Sequence, residues 1–194
     1  GVQTCALPIS GRASVVVTRA PSFVVTTIGE LIIGSIRGGC RTVRWSGPAA
    51  RRRSARQDGD GDLVDLGGRC IRALPASHVV PALGYELIGS SGSLAFTGDT
   101  CVNEEFWLWV NRIERLRYLI IETAFCNKDQ GLALQSKHLC PSLLAQELKN
   151  LKSNPEIFIT HLKPGEIDVT MREIEHLAAS WSPRMLQNRH CFVF

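Results

Sequence analysis

The sequence predicts an α/β domain over residues 58–194, with helices packed on a sheet. Three observations point to it. The runs LRYLII at 116–121 and IFIT at 157–160 are apolar with little alternation, as strands buried on both faces are. Stretches carrying a helical apolar stripe separate these runs, so their connections are crossovers, and crossovers between parallel strands are right-handed. Upstream, Gly89-Ser90-Ser91-Gly92 joins two strand-like runs in the manner of a hairpin.

The elements follow in order. Leu63 to Ala76 reads as two short strands about a turn at Gly67-Gly68. Ala82 to Ile88 and Ser93 to Phe96 are the arms of the hairpin. Asn103 is placed to cap a helix running to about Ile113, and Glu104 and Glu105 set acids in its first turn, where the helix dipole favours them. Leu116 to Ile121 is a strand that ends at Glu122. Pro141 to Leu151 is helical, with Leu143, Leu144, Leu148 and Leu151 on one stripe. Ile157 to Thr160 is the next strand, and a helix follows from about Asp168 to Ala179. The apolar tail, His190 to Phe194, reads as a closing strand.

With 194 residues, 44% hydrophobic and 21% charged, the chain is long enough and mixed enough for one soluble domain with a core. Its net charge of +4 is unevenly distributed. Residues 1–57 hold nine Arg and one acid, Glu30, whereas residues 58–194 hold thirteen basic and seventeen acidic side chains. The main domain is therefore acidic, and nucleic-acid binding through a general basic surface is not expected of it. The seven cysteines are odd in number and form no C-x-x-C, against both a disulfide framework and a zinc ribbon. Free thiols in a cytoplasmic protein are expected instead. The best apolar run, Ser14 to Ile36, is broken by Arg19, Pro21 and Glu30, so no membrane span or signal peptide is expected.

Residues 1–57 stand apart from 58–194. GVQTCALPI at the front resembles the in-frame translation of a sequencing-adapter oligonucleotide. Ser10 to Gln57 is rich in Arg, free of Lys and without a sustained period. Three readings are open: an out-of-frame or foreign segment, a disordered basic arm about Arg51-Arg52-Arg53, and a divergent folded segment.

Chemistry gathers at strand ends. His78 follows the strand near 71–76, Asp99 follows 93–96, Glu122 ends 116–121 and His161 follows 157–160. Ligands of open α/β sheets bind outside the carboxyl ends of the strands, and His with Asp suits a borderline metal such as zinc. Taken singly, each has a structural reading: a hydrogen-bonded histidine, a turn-forming aspartate after Gly98, a glutamate paired with a lysine.

Five motifs carry a resemblance: SHVVPALGYEL (77–87), SLAFTGDT (93–100), LIIETAF (119–125), SKHLCPSLLAQEL (136–148) and ITHLKPGE (159–166). From about Leu63 to Glu166 the chain resembles the metallo-β-lactamase superfamily, nearest its bacterial 3′,5′-cyclic-nucleotide phosphodiesterase-like branch. The resemblance implies an αββα sandwich, incomplete at its N-terminal half, and a metal-dependent phosphodiester hydrolase. It implies that His78 is the third histidine ligand of a first metal, Asp99 the carboxylate bridging both metals, and His161 the terminal histidine of the second. It implies zinc, with manganese or iron as alternatives, and a small phosphodiester such as a cyclic nucleotide as substrate. Glu122 and His138 resemble an acid–histidine pair of tRNA 3′-processing endonucleases that assists proton transfer to the leaving oxygen. Lys163 is placed to contact a phosphate. A homodimer is an open possibility. His176 and His190 match no motif and read as structural or exposed.

The superfamily's remaining ligands come from an upstream H-x-H-x-D-H motif, and no histidine precedes His78. The chain as written is therefore expected to bind metal poorly and to be catalytically incomplete. Two further readings are carried beside this one: an RNA-processing or other ester metallohydrolase of the same fold, and a non-catalytic protein that keeps the fold.

Overall fold

The structure is a computed structural model that describes residues 14–17, 63–65, 70–188 and 190–194. The Gly67-Gly68 turn and nearly all of the 1–57 segment lie outside the described residues. The strands are β1 (Ser14–Val17), β2 (Leu63–Asp65), β3 (Cys70–Pro75), β4 (Leu83–Ile88), β5 (Ser93–Phe96), β6 (Leu116–Glu122), β7 (Glu156–Thr160), β8 (Arg184–Met185) and β9 (His190–Val193). The α-helices are α1 (Glu104–Val110), α2 (Gln130–Ser136), α3 (Pro141–Glu147) and α4 (Ile167–Leu177).

β2 to β8 form a seven-stranded sheet in sequence order. Its first half is antiparallel, β2 through β5, and its second half is parallel, β5 through β8. β5 is the strand where the pairing changes. The hairpin is as expected: Gly89 N–H donates to the Gly92 carbonyl at 2.9 Å and Tyr85 lies opposite Phe96.

Two of the helices, α1 and α3, have a clear local start. Asn103 caps α1, its Oδ1 accepting the Phe106 N–H at 3.2 Å. α1 is shorter than expected, because the chain leaves it at Asn111 rather than running on to Ile113. Pro141 opens α3 in the first turn, where its missing N–H costs nothing. The leucine stripe continues past α3 into a 3-10 turn at Leu148–Asn150. α4 is followed by another such turn at Ala179–Trp181.

The sheet buries both faces. On one, Leu74, Leu119, Ile121 and Ile159 meet Phe106, Trp107 and Val110 of α1, Leu143 and Leu144 of α3, and Ile174 of α4. On the other, Leu94, Ile120 and Phe158 meet Phe192 and Phe194. No helical residue belongs to this second cluster among the described residues. β9 pairs antiparallel with β1 in a separate two-stranded sheet, Ser14 opposite Val193 and Val17 opposite His190. The described layers are thus helices, large sheet and small sheet. The tail strand closes over the second face instead of extending the large sheet. Complete burial of Phe192 contributes roughly 2 kcal/mol relative to leaving it in water.

Candidate active site at the carboxyl edge of the sheet

β3 and β5 run in the same direction, each antiparallel to β4, and β6 and β7 run parallel to β5. The carboxyl ends of these four strands therefore share one edge, and the four candidate residues at strand ends are gathered there. The loops are pinned to each other by the main chain. Ser77 N–H donates to Thr100 Oγ1 and Cys101 N–H to the Ser77 carbonyl, both at 2.9 Å. Thr123 N–H donates to the Thr160 carbonyl at 3.0 Å.

Glu122 is fully buried. Its Oε1 accepts the Thr100 N–H at 3.1 Å and its Oε2 accepts the N–H groups of Ala124 and Leu139 at 3.1 and 3.4 Å. His138 Nδ1 lies 2.8 Å from Oε1. Burial pushes the Glu122 pKa up; the hydrogen bond and charge of His138, the charge of His161 and the Thr100 N–H oppose that push without cancelling it. His138 arrives by way of α2, which the sequence reading missed. α2 ends at Lys137 in a left-handed conformation (φ 55, ψ 55), and the His138 N–H turns back to the Ala133 carbonyl at 2.8 Å.

Asp99 and His161 form the second pair, with Nδ1 2.7 Å from Oδ1 and roughly a quarter and a third of the side chains exposed. The turn before Asp99 requires Gly98: its φ is +64, and a Cβ there would meet the Leu83 carbonyl oxygen at 2.4 Å. His161 also has positive φ, 63, which a residue with a Cβ adopts at a cost of roughly 1 kcal/mol. Desolvation lowers the His161 pKa, but the hydrogen bond and charge of Asp99, with the charge of Glu122, outweigh it, so the net direction is up.

His78 joins these pairs. Its Nδ1 lies 3.1 Å from the Lys137 carbonyl, and its ring packs edge-on against His138 with centroids 4.8 Å apart. The His138 ring in turn lies 5.0 Å from that of His161. Lys163 sits to one side, its Nζ 5.3 Å from the Phe125 ring centroid and 3.9 Å from Glu166, while Phe125 packs on His138. His78, Asp99, Glu122, His138 and His161 thus make one connected cluster with Lys163 at its margin. His176 is exposed on α4, and His190 packs at a tilt against Phe158 away from the cluster.

Solved structures share this arrangement of chain. The metallo-β-lactamase fold protein YhfI from Bacillus subtilis superposes with a TM-score of 0.59 at 17% identity, over 71% of this chain and 54% of that one. Unliganded yeast PDE1 does so with a TM-score of 0.57 at 17% identity, over 70% and 49%. The chain has the metallo-β-lactamase fold. Human tRNase Z, short form, is a further match, with a TM-score of 0.50 at 14% identity over 70% and 47%. The chain spans about half the length of these structures of the fold. No family model and no curated protein matches it by sequence.

One group escaped the sequence reading. Among the described residues, Cys126, Asp129 and Glu166 bring their donor atoms within 4.8 Å of one another. They lie on the loops after β6 and β7, and Cys126 and Glu166 are 40 residues apart, so no local spacing betrays them. The buried Cys126 thiol donates to Glu166 Oε2 at 3.5 Å, and Lys128 Nζ lies 2.9 Å from Oε1. The protein's own proton and cation therefore already satisfy this group. All five described cysteines are free thiols. No helix among the described residues is long and apolar enough to cross a membrane.

Proposed function

We propose that this chain carries part of a metal-dependent phosphodiester hydrolase site whose substrate class is a 3′,5′-cyclic nucleotide. The main support is that side chains from three strand ends, His78, Asp99 and His161, share one cluster with the Glu122–His138 pair. Imidazole nitrogen and carboxylate oxygen suit zinc, with manganese or iron as alternatives. Asp99 touches His161, and His78 meets the cluster through His138; the two-ion assignment follows the resemblance of the motifs. His78 would hold one ion, His161 the other and Asp99 both. When bound, such ions stabilise charge on a phosphoryl group and lower the pKa of water.

The chain's own side chains do the rest. Glu122 fixes His138 through Nδ1, so His138 Nε2 is the atom that delivers a proton to the departing sugar oxygen. Lys163 Nζ offers a cation to a phosphate oxygen. Three donors are fewer than a tight two-ion site uses, so this chain alone should hold metal weakly and hydrolyse slowly.

Zinc content by elemental mass spectrometry, after loading and desalting, tests the reading together with hydrolysis of a 3′,5′-cyclic nucleotide. Substoichiometric zinc and slow turnover, both abolished by Asp99→Ala, are expected. A full complement of tightly held zinc, no metal response at any concentration, or turnover indifferent to Asp99→Ala would overturn it. The likeness to human tRNase Z favours RNA as the second reading, and a tRNA precursor assayed in parallel separates the two.

A further inference from the structure

We propose that Lys137 is a positioning residue for His78, acting through its main-chain carbonyl and not through its charge. The backbone just before His78 is fixed by the Thr100 and Cys101 contacts to Ser77, but those bonds leave the imidazole free to rotate. The Lys137 carbonyl, 59 residues away in sequence and 3.1 Å from Nδ1, supplies the missing restraint. A carbonyl oxygen only accepts, so in the neutral imidazole the single proton sits on His78 Nδ1 and Nε2 keeps the lone pair. His78 is thereby held in the tautomer that a metal-binding imidazole needs at Nε2.

The left-handed conformation of Lys137 makes this possible. Its N–H returns to the Ala133 and Leu134 carbonyls and closes α2, and the next N–H, that of His138, returns to Ala133 as well. With the chain reversed at this point, the Lys137 carbonyl meets His78 while the following side chain reaches Glu122. One helix end thus orients two histidines, one through the backbone and one through its position in the chain. The Lys137 side chain is exposed and takes no part. The inference deepens the proposed function, but the imidazole state is measured without metal, so either can fail alone.

Long-range proton–nitrogen correlation spectra of the uniformly nitrogen-15-labelled, metal-free chain test it, with His78→Gln assigning the signals. In the wild type His78 should show a protonated Nδ1 and a bare Nε2. Lys137→Gly and Lys137→Asn, which accept the left-handed turn, should keep that pattern. Lys137→Val, whose branched Cβ resists positive φ, should move His78 toward the mixed tautomers of a free histidine. Cobalt(II) affinity should fall roughly 10- to 100-fold in the valine variant alone. A neutral wild-type His78 with its proton on Nε2 and a bare Nδ1 overturns the inference whether or not any variant folds. So does an unchanged His78 pattern in a folded Lys137→Val chain. If the tautomer is as stated and no variant binds cobalt, positioning stands and the metal reading falls.

Discussion

The Glu122–His138 and Asp99–His161 pairs each join a carboxylate to an imidazole, at 2.8 and 2.7 Å, yet they rest on different supports. Glu122 is sealed in the core and accepts three main-chain N–H groups besides His138. Asp99 and His161 face solvent in part, and their geometry comes from backbone made to bend at Gly98 and at His161 itself. The first pair is part of what holds the strand ends together. The second is a presented surface, which the fold positions but does not depend on.

The sharpest way to break this comparison is to remove each carboxylate in turn. Glu122→Ala leaves three buried N–H groups and a half-buried imidazole without their acceptor, and should cost about 3–5 kcal/mol in urea unfolding. A loss under about 1 kcal/mol would mean the pair is ornamental to the fold. Gly98→Ala comes next. Strain at positive φ and collision with the Leu83 carbonyl should cost about 2 kcal/mol and displace Asp99, seen as loss of the Asp99–His161 signature in imidazole spectra. Asp99→Asn should change unfolding free energy by less than about 1 kcal/mol, since a partly exposed pair is screened by water. An Asp99→Asn effect as large as that of Glu122→Ala would erase the distinction between the pairs.

The smallest effect concerns the loops that flank both pairs. Lys128 holds the Glu166 carboxyl below its usual range, through their hydrogen bond first and Lys128's charge in addition. A carboxylate lowered in this way contributes stability that is present above its unfolded pKa and lost as pH falls through its folded one. Lys128→Met should flatten the acid limb of a stability–pH curve by lowering stability slightly at neutral pH and leaving the most acidic end unchanged. A wild-type slope retained in that variant would assign the acid response elsewhere.

Much of this architecture is legible in the sequence because its elements announce themselves. The buried strands at 116–121 and 157–160, the Gly-Ser-Ser-Gly hairpin and the Asn103 cap all have strong local signals. α2 has none: Leu132 and Leu134 are exposed and Ala133 is buried, so no apolar stripe marks it. β8 is two residues long, too short for any period. His78, Asp99, Glu122 and His161 could be named from their places after strands, but Glu122's network could not, because its donors are main-chain groups from three loops. His138 and Lys163 were visible through the family resemblance alone. The Lys137 carbonyl was invisible for a similar reason, and no glycine flags the left-handed turn that aims it.

The change from antiparallel to parallel pairing at β5 has a kinetic side. His78 and Asp99 flank the hairpin half, whose strands meet through short connections. Glu122, His138 and His161 belong to the half built from crossovers, whose contacts span much longer stretches of chain and form more slowly. On that ordering the site is expected to be completed last, and the His78–His138 ring contact joins the two halves. A probe of that contact, followed during refolding, should rise with the last phase, after the hairpin has already acquired its native signal.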